Sequence, residues 1–283
     1  MNADTRRIAL LQMTTGIDPA ANAAAMARAA QEAADAGAAM LFTPEMSGLL
    51  DRDRARGSRH VVPETESPVL SEVRNAAAKA GIWVHIGSLA VKAEDGSRWA
   101  NRAFVITPAG EIAARYDKIH MFDVDLATGE TWRESAAYQP GEAVVTVEGT
   151  PLGRLGLAIC YDIRFPALFE ELGRRRCDAI AIPAAFTVPT GRAHWHLMQR
   201  ARAVEASAFI VSAAQVGRHE DGRETYGHSL VVDPWGEVVL DMVSESGPHG
   251  ALGFAEIDLA RIAEVRAQVP SLANRRAIPK SIT

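Results

Sequence analysis

Cys160 has the position expected of a nucleophile in this 283-residue chain. It follows the apolar run Gly156-Leu157-Ala158-Ile159, which predicts a buried strand, and it precedes Pro166, which predicts the start of a helix. A side chain at such a turn projects from the carboxyl end of a sheet, where open α/β folds bind their ligands. Free cysteine has a pKa of about 8.5, so a nucleophilic Cys160 needs a neighbouring base or cation.

Three other side chains have the chemistry that such a thiol needs. Glu45 follows Pro44 at the end of a predicted strand, where a carboxylate can take a proton from a thiol and later from water; the alternative is a helix cap or a surface charge. The ammonium of Lys118 can stabilise the oxyanion of a tetrahedral intermediate, or it is simply solvated. Glu134 alone is indistinguishable from a surface glutamate.

The runs around these residues resemble the three signature blocks of the nitrilase superfamily, the carbon–nitrogen hydrolases, in the same order. The matching runs are Thr43-Pro44-Glu45, Arg115-Tyr116-Asp117-Lys118-Ile119-His120-Met121-Phe122-Asp123 and Cys160-Tyr161-Asp162-Ile163-Arg164-Phe165-Pro166. Further runs are similar to the Nit branch of that superfamily, and they are Pro183-Ala184-Ala185-Phe186, Thr190-Gly191-Arg192-Ala193-His194-Trp195, Arg200-Ala201-Arg202-Ala203-Val204-Glu205 and Tyr226-Gly227-His228-Ser229. Deaminated-glutathione amidases and omega-amidases are the members that the chain resembles most.

This resemblance implies a fold, a set of roles and a reaction. The fold would be a four-layer α-β-β-α sandwich. Glu45 would be the general base, Lys118 the oxyanion stabiliser and Cys160 the nucleophile, with Glu134 positioning the lysine and the substrate. The backbone N–H of Tyr161 would complete the oxyanion hole. The reaction would pass through a thioester with no metal or organic cofactor, in a homodimer or larger assembly.

Two residues offer clues to the substrate. Arg164 follows Cys160 by four positions, and its guanidinium could hold a substrate carboxylate; the alternative is an internal salt bridge, for example to Asp162. Thr190 could add a hydroxyl to the same carboxylate. His194 and His196 are two residues apart on a predicted helix and so face different sides, which argues against a shared metal ion.

The elements that must position these residues follow from periodicity and turn signals. Helices are predicted over residues 19–36, 69–80, 167–176, 193–207 and 259–269, and strands over residues 7–13, 38–42, 83–91, 179–183 and 209–215. Pro108-Ala109-Gly110-Glu111 and Pro234-Trp235-Gly236-Glu237 each stand between apolar strands and predict β-hairpins. Strand–helix–strand units with inserted hairpins favour an α/β fold with two sheets.

Composition limits the classes of partner and location. The chain is 48% hydrophobic with a net charge of −5, which argues against nucleic acid or an anionic membrane as the partner. It has two cysteines and neither a signal peptide nor an apolar run of about 20 residues, so we expect a cytoplasmic protein. No linker is visible, which predicts one domain over residues 1–283 with a C-terminal arm from about residue 270.

The sequence leaves the exact activity open between three possibilities. The first is a thiol amidase that acts on a small carboxylated amide of the deaminated-glutathione or ω-amide type. The second uses the same three residues on a nitrile or an N-carbamoyl compound. The third is a non-catalytic binding protein that retains the fold, which the presence of Glu45, Lys118 and Cys160 together disfavours.

Overall fold

The fold is built from two six-stranded sheets in a computed structural model, which describes residues 4–279 except 94, 95, 97, 126, 128, 130 and 244–249. The first half of the chain contributes the strands β1 (Thr5–Gln12), β2 (Met40–Phe42), β3 (Trp83–Lys92), β4 (Trp99–Ile106), β5 (Ile112–Asp117), β6 (Asp123–Asp125), β7 (Thr131–Arg133) and β8 (Thr146–Thr150). The second half contributes β9 (Gly153–Leu157), β10 (Ala179–Ala181), β11 (Phe209–Ser212), β12 (Val216–Arg218), β13 (Glu224–Tyr226), β14 (Ser229–Val232), β15 (Val238–Met242) and β16 (Ala251–Asp258).

The helices lie between and after these strands. They are α1 (Pro19–Asp35), α2 (Arg54–Gly57), α3 (Pro68–Ala80), α4 (Pro166–Arg174), α5 (Val188–Ala206), α6 (Ala260–Gln268) and α7 (Ser271–Asn274). Local sequence explains where the two long helices of the first half, α1 and α3, begin. The side chains of Asp18 and Ser67 accept hydrogen bonds from the first turns of α1 and α3, and a proline follows each cap.

Each sheet has a parallel centre with antiparallel strands at its sides. The first sheet has the order β16-β1-β2-β3-β4-β5, in which β1, β2 and β3 are parallel. The second has the order β15-β14-β11-β10-β9-β8, in which β9, β10 and β11 are parallel. The strands β6 and β7 pair separately, as do β12 and β13.

Alternating side chains of the first sheet belong to two different apolar cores. Ile8 and Leu10 of β1 pack in one core with residues of the second sheet, α4 and α5. Ala9 and Leu11 pack in the other core against α1 and α3. Because successive residues of a strand face opposite sides, the order of layers is helix, sheet, sheet, helix. The predicted four-layer α-β-β-α sandwich is therefore confirmed.

Most predicted elements are present, with shifts at their ends. The hairpins β4–β5 and β14–β15 pair as predicted around Pro108 and Pro234. The helix α5 begins at Val188 instead of residue 193, because Pro189 in its first turn can start a helix. The strand β11 ends at Ser212 instead of residue 215.

The C-terminal segment begins with a short helix. The helix α7 covers Ser271–Asn274, and the following Arg275 donates a hydrogen bond to the carbonyl oxygen of Glu170 in α4. The predicted arm continues through residue 279 without regular structure, and its last residues, 280–283, lie outside the described part of the chain. None of the helices formed by the described residues has the length and apolar character that crossing a bilayer demands.

Candidate active site

The segments that follow β2 and β10 pack closely together against one residue of β3. Gly87 of β3 lies at this point, and a Cβ atom on it would clash with the carbonyl oxygens of Thr43 and Pro44 and with the ring of Pro183. Glu45 follows Thr43 and Pro44, so the glycine lets the chain that carries this carboxylate lie against the second sheet. The amide of Gln215 donates to the carbonyl oxygen of Glu45 at 2.9 Å and fixes its backbone from the opposite side.

Cys160 begins a 3₁₀ turn three residues after β9 ends. Its backbone has a φ of 47°, in the left-handed region that non-glycine residues seldom adopt. Its N–H donates to the carbonyl oxygen of Pro183 at 2.9 Å. The strained turn directs the thiol out of the strand, as the sequence predicted, and only 8% of the residue is exposed.

A buried carboxylate holds this turn in place. Asp162 accepts hydrogen bonds from the hydroxyl of Tyr116 at 2.7 Å, from the backbone N–H of Ile159 at 2.9 Å and from the backbone N–H of His120 at 3.0 Å. The ring nitrogen Nδ1 of His120 lies 2.7 Å from the same carboxylate. Asp162 thus ties the turn of the second sheet to the segment after β5 in the first sheet, which is the segment that carries Lys118.

Lys118 stands between the two glutamates that the sequence singled out. Its Nζ lies 2.9 Å from Oε1 of Glu45 and 2.9 Å from Oε2 of Glu134. The amide of Asn101 donates to both carboxylates at 3.0 Å, and the backbone N–H of Ala185 donates to the other oxygen of Glu45 at 3.0 Å. Only 2% of Lys118 and 5% of Glu45 is exposed, so Lys118 is not a solvated lysine and Glu45 is not a surface charge.

Burial and charge set the protonation of this cluster. Burial lowers the pKa of Lys118, but the carboxylates of Glu134 and Glu45 outweigh it and hold that pKa well above its usual value. Burial raises the pKa of Cys160, Glu45 raises it further, and Lys118 opposes both, so the pKa ends well above the usual value. Both shifts favour an ammonium on Lys118 and a neutral thiol on Cys160.

All seven residues singled out from the sequence line one cavity of about 720 Å³, and they are Glu45, Lys118, Glu134, Cys160, Tyr161, Arg164 and Thr190. Arg164 does not pair with Asp162, since its guanidinium lies 3.4 Å from Nδ1 of His194 and packs over the rings of Tyr161 and Phe186. No described carboxylate forms an ion pair with it. The hydroxyl of Thr190 lies 2.8 Å from that of Thr187 in the first turn of α5.

Two residues of the site were missed in the sequence. Asn101 has no signal of its own, because it lies in a strand and only the fold brings its amide to Glu45 and Glu134. Asp162 was considered only as a partner for Arg164, although its position two residues after Cys160 is typical of a side chain that caps a turn.

Comparisons with known proteins identify the family of the chain. A family model described as carbon–nitrogen hydrolase matches residues 7–267. The deaminated glutathione amidase of Yersinia enterocolitica is 38% identical over 274 residues, which are 96% of this chain and 93% of that protein. A solved Nit protein of Saccharomyces cerevisiae, described as a member of branch 10 of the nitrilase superfamily, is similar at a TM-score of 0.82 and 28% identity, over 94% of this chain and 95% of that one.

A solved amidase offers a chemical parallel. It is a variant of the amidase from Nesterenkonia sp. AN1, with the acetamide moiety of fluoroacetamide covalently added to its active-site cysteine. This chain resembles it with a TM-score of 0.80 and 25% identity, over 98% of this chain and 95% of that one. The family model covers most of the sequence, and the relative from Yersinia enterocolitica spans nearly all of it. The chain belongs to the carbon–nitrogen hydrolase family.

Proposed function

We propose that this enzyme is a thiol amidase that hydrolyses the C–N bond of a small carboxylated amide, of the deaminated-glutathione or ω-amide type. The observation that carries the proposal is the meeting of a carboxylate, an ammonium and a thiol in one cavity that also contains the guanidinium of Arg164, which forms no ion pair with any carboxylate of the described residues. The name of the relative from Yersinia enterocolitica and the modified cysteine of the Nesterenkonia amidase support it.

The reaction would begin with a thiol, because burial and Glu45 raise the pKa of Cys160. The sulfur attacks the amide carbonyl while its proton passes to Glu45, and the tetrahedral intermediate forms. Glu45 then gives that proton to the departing ammonia or amine, which leaves an acyl group on Cys160 as a thioester. In the second half, Glu45 takes a proton from water, the resulting hydroxide attacks the thioester, and the proton returns to the sulfur as the acid is released.

Lys118 and Tyr161 have the role of stabilising the oxyanion of both intermediates. The ammonium of Lys118 has three N–H groups, and Glu45 and Glu134 hold it from two directions, which leaves one direction for the substrate. The backbone N–H of Tyr161 follows the nucleophile at the turn and would supply the second donor. Glu134 would fix the orientation of Lys118, and its own carboxylate is held by the backbone N–H of Phe122 at 2.7 Å.

Arg164 would bind the substrate carboxylate. A guanidinium without a carboxylate partner in a cavity is suited to a two-pronged contact with one from a ligand. The aromatic rings of Tyr161 and Phe186 beneath it limit its motion. Thr190 lines the same cavity, and its hydroxyl would add a weaker contact to the same carboxylate.

We also propose the setting in which the enzyme works. Residues 1–283 would act as one domain, with the segment from about residue 270 as an arm. The family resemblance supports a homodimer or a larger homo-oligomer. Two free cysteines, Cys160 and Cys177, suit a reducing compartment, which supports a cytoplasmic location.

An assay of released ammonia or amine over five kinds of compound tests the activity. Deaminated glutathione, α-ketoglutaramate, simple neutral amides, nitriles and N-carbamoyl compounds would be compared separately, with Cys160→Ala as the blank. We expect turnover to be fastest with the carboxylated amides. Faster turnover of a nitrile or an N-carbamoyl compound would instead support a nitrilase or an N-carbamoyl hydrolase that uses the same three residues. If the wild type were no faster than Cys160→Ala with any compound, the result would support a non-catalytic binding protein.

The role of Arg164 is tested by a comparison of substrates. Arg164→Ala should lower kcat/KM for a carboxylated amide by roughly 10- to 100-fold, the cost of one hydrogen-bonded charge pair, and should leave a neutral amide of similar size nearly unchanged. Arg192→Ala, an exposed arginine outside the cavity, is the control. An equal loss on both substrates would contradict the carboxylate contact.

A further inference from the structure

Two histidines and an aspartate converge on the face of the second sheet that α5 covers. His196 of α5 lies with its Nε2 3.1 Å from Oδ2 of Asp241, and His228 lies with its Nδ1 2.8 Å from Oδ1 of the same residue. One nitrogen from each ring and one carboxylate oxygen lie within 4.8 Å of one another. The side chains are 36%, 18% and 26% exposed for His196, His228 and Asp241, so solvent reaches the cluster.

We propose that His196, His228 and Asp241 form a binding site for Zn²⁺ or a similar late first-row divalent ion. Zn²⁺ binds imidazole nitrogen and carboxylate oxygen at about 2.0–2.1 Å in tetrahedral geometry, which separates neighbouring ligand atoms by about 3.3 Å. The observed separations are 3.1 Å from Nε2 of His196 to Oδ2 of Asp241 and 2.8 Å from Nδ1 of His228 to Oδ1, each within about half an ångström of this value. Because they run to different oxygens, a rotation of the carboxylate would bring one oxygen to an ion that both rings bind, and the three ligand atoms already lie within 4.8 Å of one another. Two imidazoles with one carboxylate favour such an ion over Mg²⁺ or Ca²⁺, which prefer oxygen ligands.

The ligand atoms need no rearrangement of the backbone to meet an ion. Each imidazole already presents to Asp241 the nitrogen that would bind the metal. When the ion enters, that nitrogen gives up its place as a hydrogen-bond donor, and a neutral ring keeps its proton on the other nitrogen. Three protein ligands leave the fourth tetrahedral position to water, which agrees with the partial exposure of the cluster.

Neighbouring groups hold His228 in its unusual orientation. Gly227 and His228 both have positive φ angles, 76° and 56°, although only the first is a glycine. The indole nitrogen of Trp195 donates to the carbonyl oxygen of His228 at 2.8 Å, and the ring of Tyr226 stacks on its imidazole with centroids 4.5 Å apart. A strained backbone that is fixed by several contacts is common where a side chain must be aimed.

The site is separate from the catalytic cavity, since none of its three ligands lines that cavity. The sequence argued against a metal ion shared by His194 and His196, and their side chains indeed have different partners, Arg164 and Asp241. Asp241 lies in β15, and His228 directly precedes β14. An ion would therefore connect α5, whose first turn carries Thr190, to the hairpin β14–β15.

Equilibrium dialysis against ZnCl₂ tests the site in full-length protein without an affinity tag. The background is Cys160→Ser, so that the active-site thiol binds no metal. Three variants each remove one ligand: His196→Ala, His228→Asn, in which asparagine tolerates the positive φ, and Asp241→Asn. His60→Ala, at an exposed histidine elsewhere, is the control. Circular dichroism spectra would establish that every variant is folded.

We expect the parent to bind one Zn²⁺ per chain. Each ligand variant should lower the association constant by roughly 100-fold or more, because loss of a group that only supports a ligand already lowers metal affinity about 10- to 100-fold. The control should bind like the parent, and Mg²⁺ should not compete. Bound Co²⁺ should give the strong visible bands of tetrahedral coordination. Failure of the parent to bind Zn²⁺ in a 1:1 ratio, or equal binding by parent and ligand variants, would overturn the proposal.

Discussion

At the scale of single residues, the charged groups around Cys160 affect whether its thiol ionises. A thiolate beside Glu45 would place two negative charges together in a buried site, and one ammonium, Lys118, is shared between Glu45 and Glu134. Burial and Glu45 therefore raise the pKa of Cys160 and favour its protonated form. A thiol with a raised pKa differs from the thiolate that pairs with a histidine in other cysteine enzymes.

Replacement of the proposed base should slow turnover but make the Cys160 thiol easier to ionise. Glu45→Gln should lower kcat by roughly 10²- to 10⁴-fold, since no group then accepts the proton. The same change removes a carboxylate that raises the pKa of Cys160, so the pH profile for its alkylation by iodoacetamide should move to lower pH. The measurement is the alkylation rate of the Cys160 peptide by mass spectrometry between pH 6 and 10.

Two internal references accompany this experiment. Burial raises the pKa of Cys177 to about 12, so its peptide should stay unmodified over most of the range. Glu142→Gln alters an exposed carboxylate outside the cavity and should leave both kcat and the alkylation profile unchanged. An alkylation profile of Glu45→Gln that moves to higher pH would show that Glu45 favours the thiolate, contrary to the charge argument.

At the scale of elements, the segments after β2 and β9 carry the proposed base and nucleophile, and Gly87 packs against the segment that carries the base. Gly87→Ala should destabilise the fold by about 1–3 kcal/mol, because the new methyl group must displace the backbone of Thr43 and Pro44. It should also lower kcat, since Glu45 moves with that segment. Thermal melting and kcat measure the two effects.

Gly16→Ala is the matched control for this change. Its Cβ would meet the end of the Glu220 side chain at 3.2 Å, which can move away, and Oδ1 of Asn22 at an ordinary contact distance of 3.9 Å. A melting temperature and a kcat close to those of the wild type are expected for the control. If Gly87→Ala had the same melting temperature and kcat as the control, the close packing of Gly87 against Thr43 and Pro44 would not determine the position of Glu45.

Local patterns predicted the elements better than they predicted the contacts of the site. The turn at Cys160, the hairpins and most helices follow from apolar runs, prolines and glycines, which act over a few residues. The short pairs β6–β7 and β12–β13 were missed, because three-residue strands carry too few alternations to be recognised. Asn101 reaches Glu45 across 56 positions of sequence, a contact that exists only after β2, β3 and β4 have come together in the first sheet.

At the scale of the whole molecule, the interface between the two sheets contains a buried histidine. His85 of β3 is 1% exposed, its ring lies 5.5 Å from that of Phe42, and neither of its ring nitrogens has a hydrogen-bond partner among the described residues. Its neighbours in the strand, Val84 and Ile86, pack on the opposite side against α1 and α3. The imidazole therefore points into the core that joins the sheets, where a charge is not stabilised.

This placement predicts how the stability of the whole fold depends on pH. Burial lowers the pKa of His85 to about 3, from an ordinary value of 6.5. Between these values the unfolded chain binds a proton that the folded chain excludes, so the free energy of unfolding should fall as the pH drops below 6.5. Each pKa unit is worth about 1.4 kcal/mol, which gives a loss of about 2 kcal/mol at pH 5.

His85→Leu should remove this part of the pH dependence, because leucine fills a similar volume and does not titrate. Its melting temperature should fall less than that of the wild type between pH 7.5 and pH 5, and at pH 7.5 it should be no lower, since two unpaired buried nitrogens are removed. His60→Leu, at an exposed site, should follow the wild type at both pH values. If the melting temperatures of the wild type and His85→Leu fell equally between the two pH values, acid would destabilise the fold through other groups. The first to examine would be the buried His219, because burial also lowers its pKa.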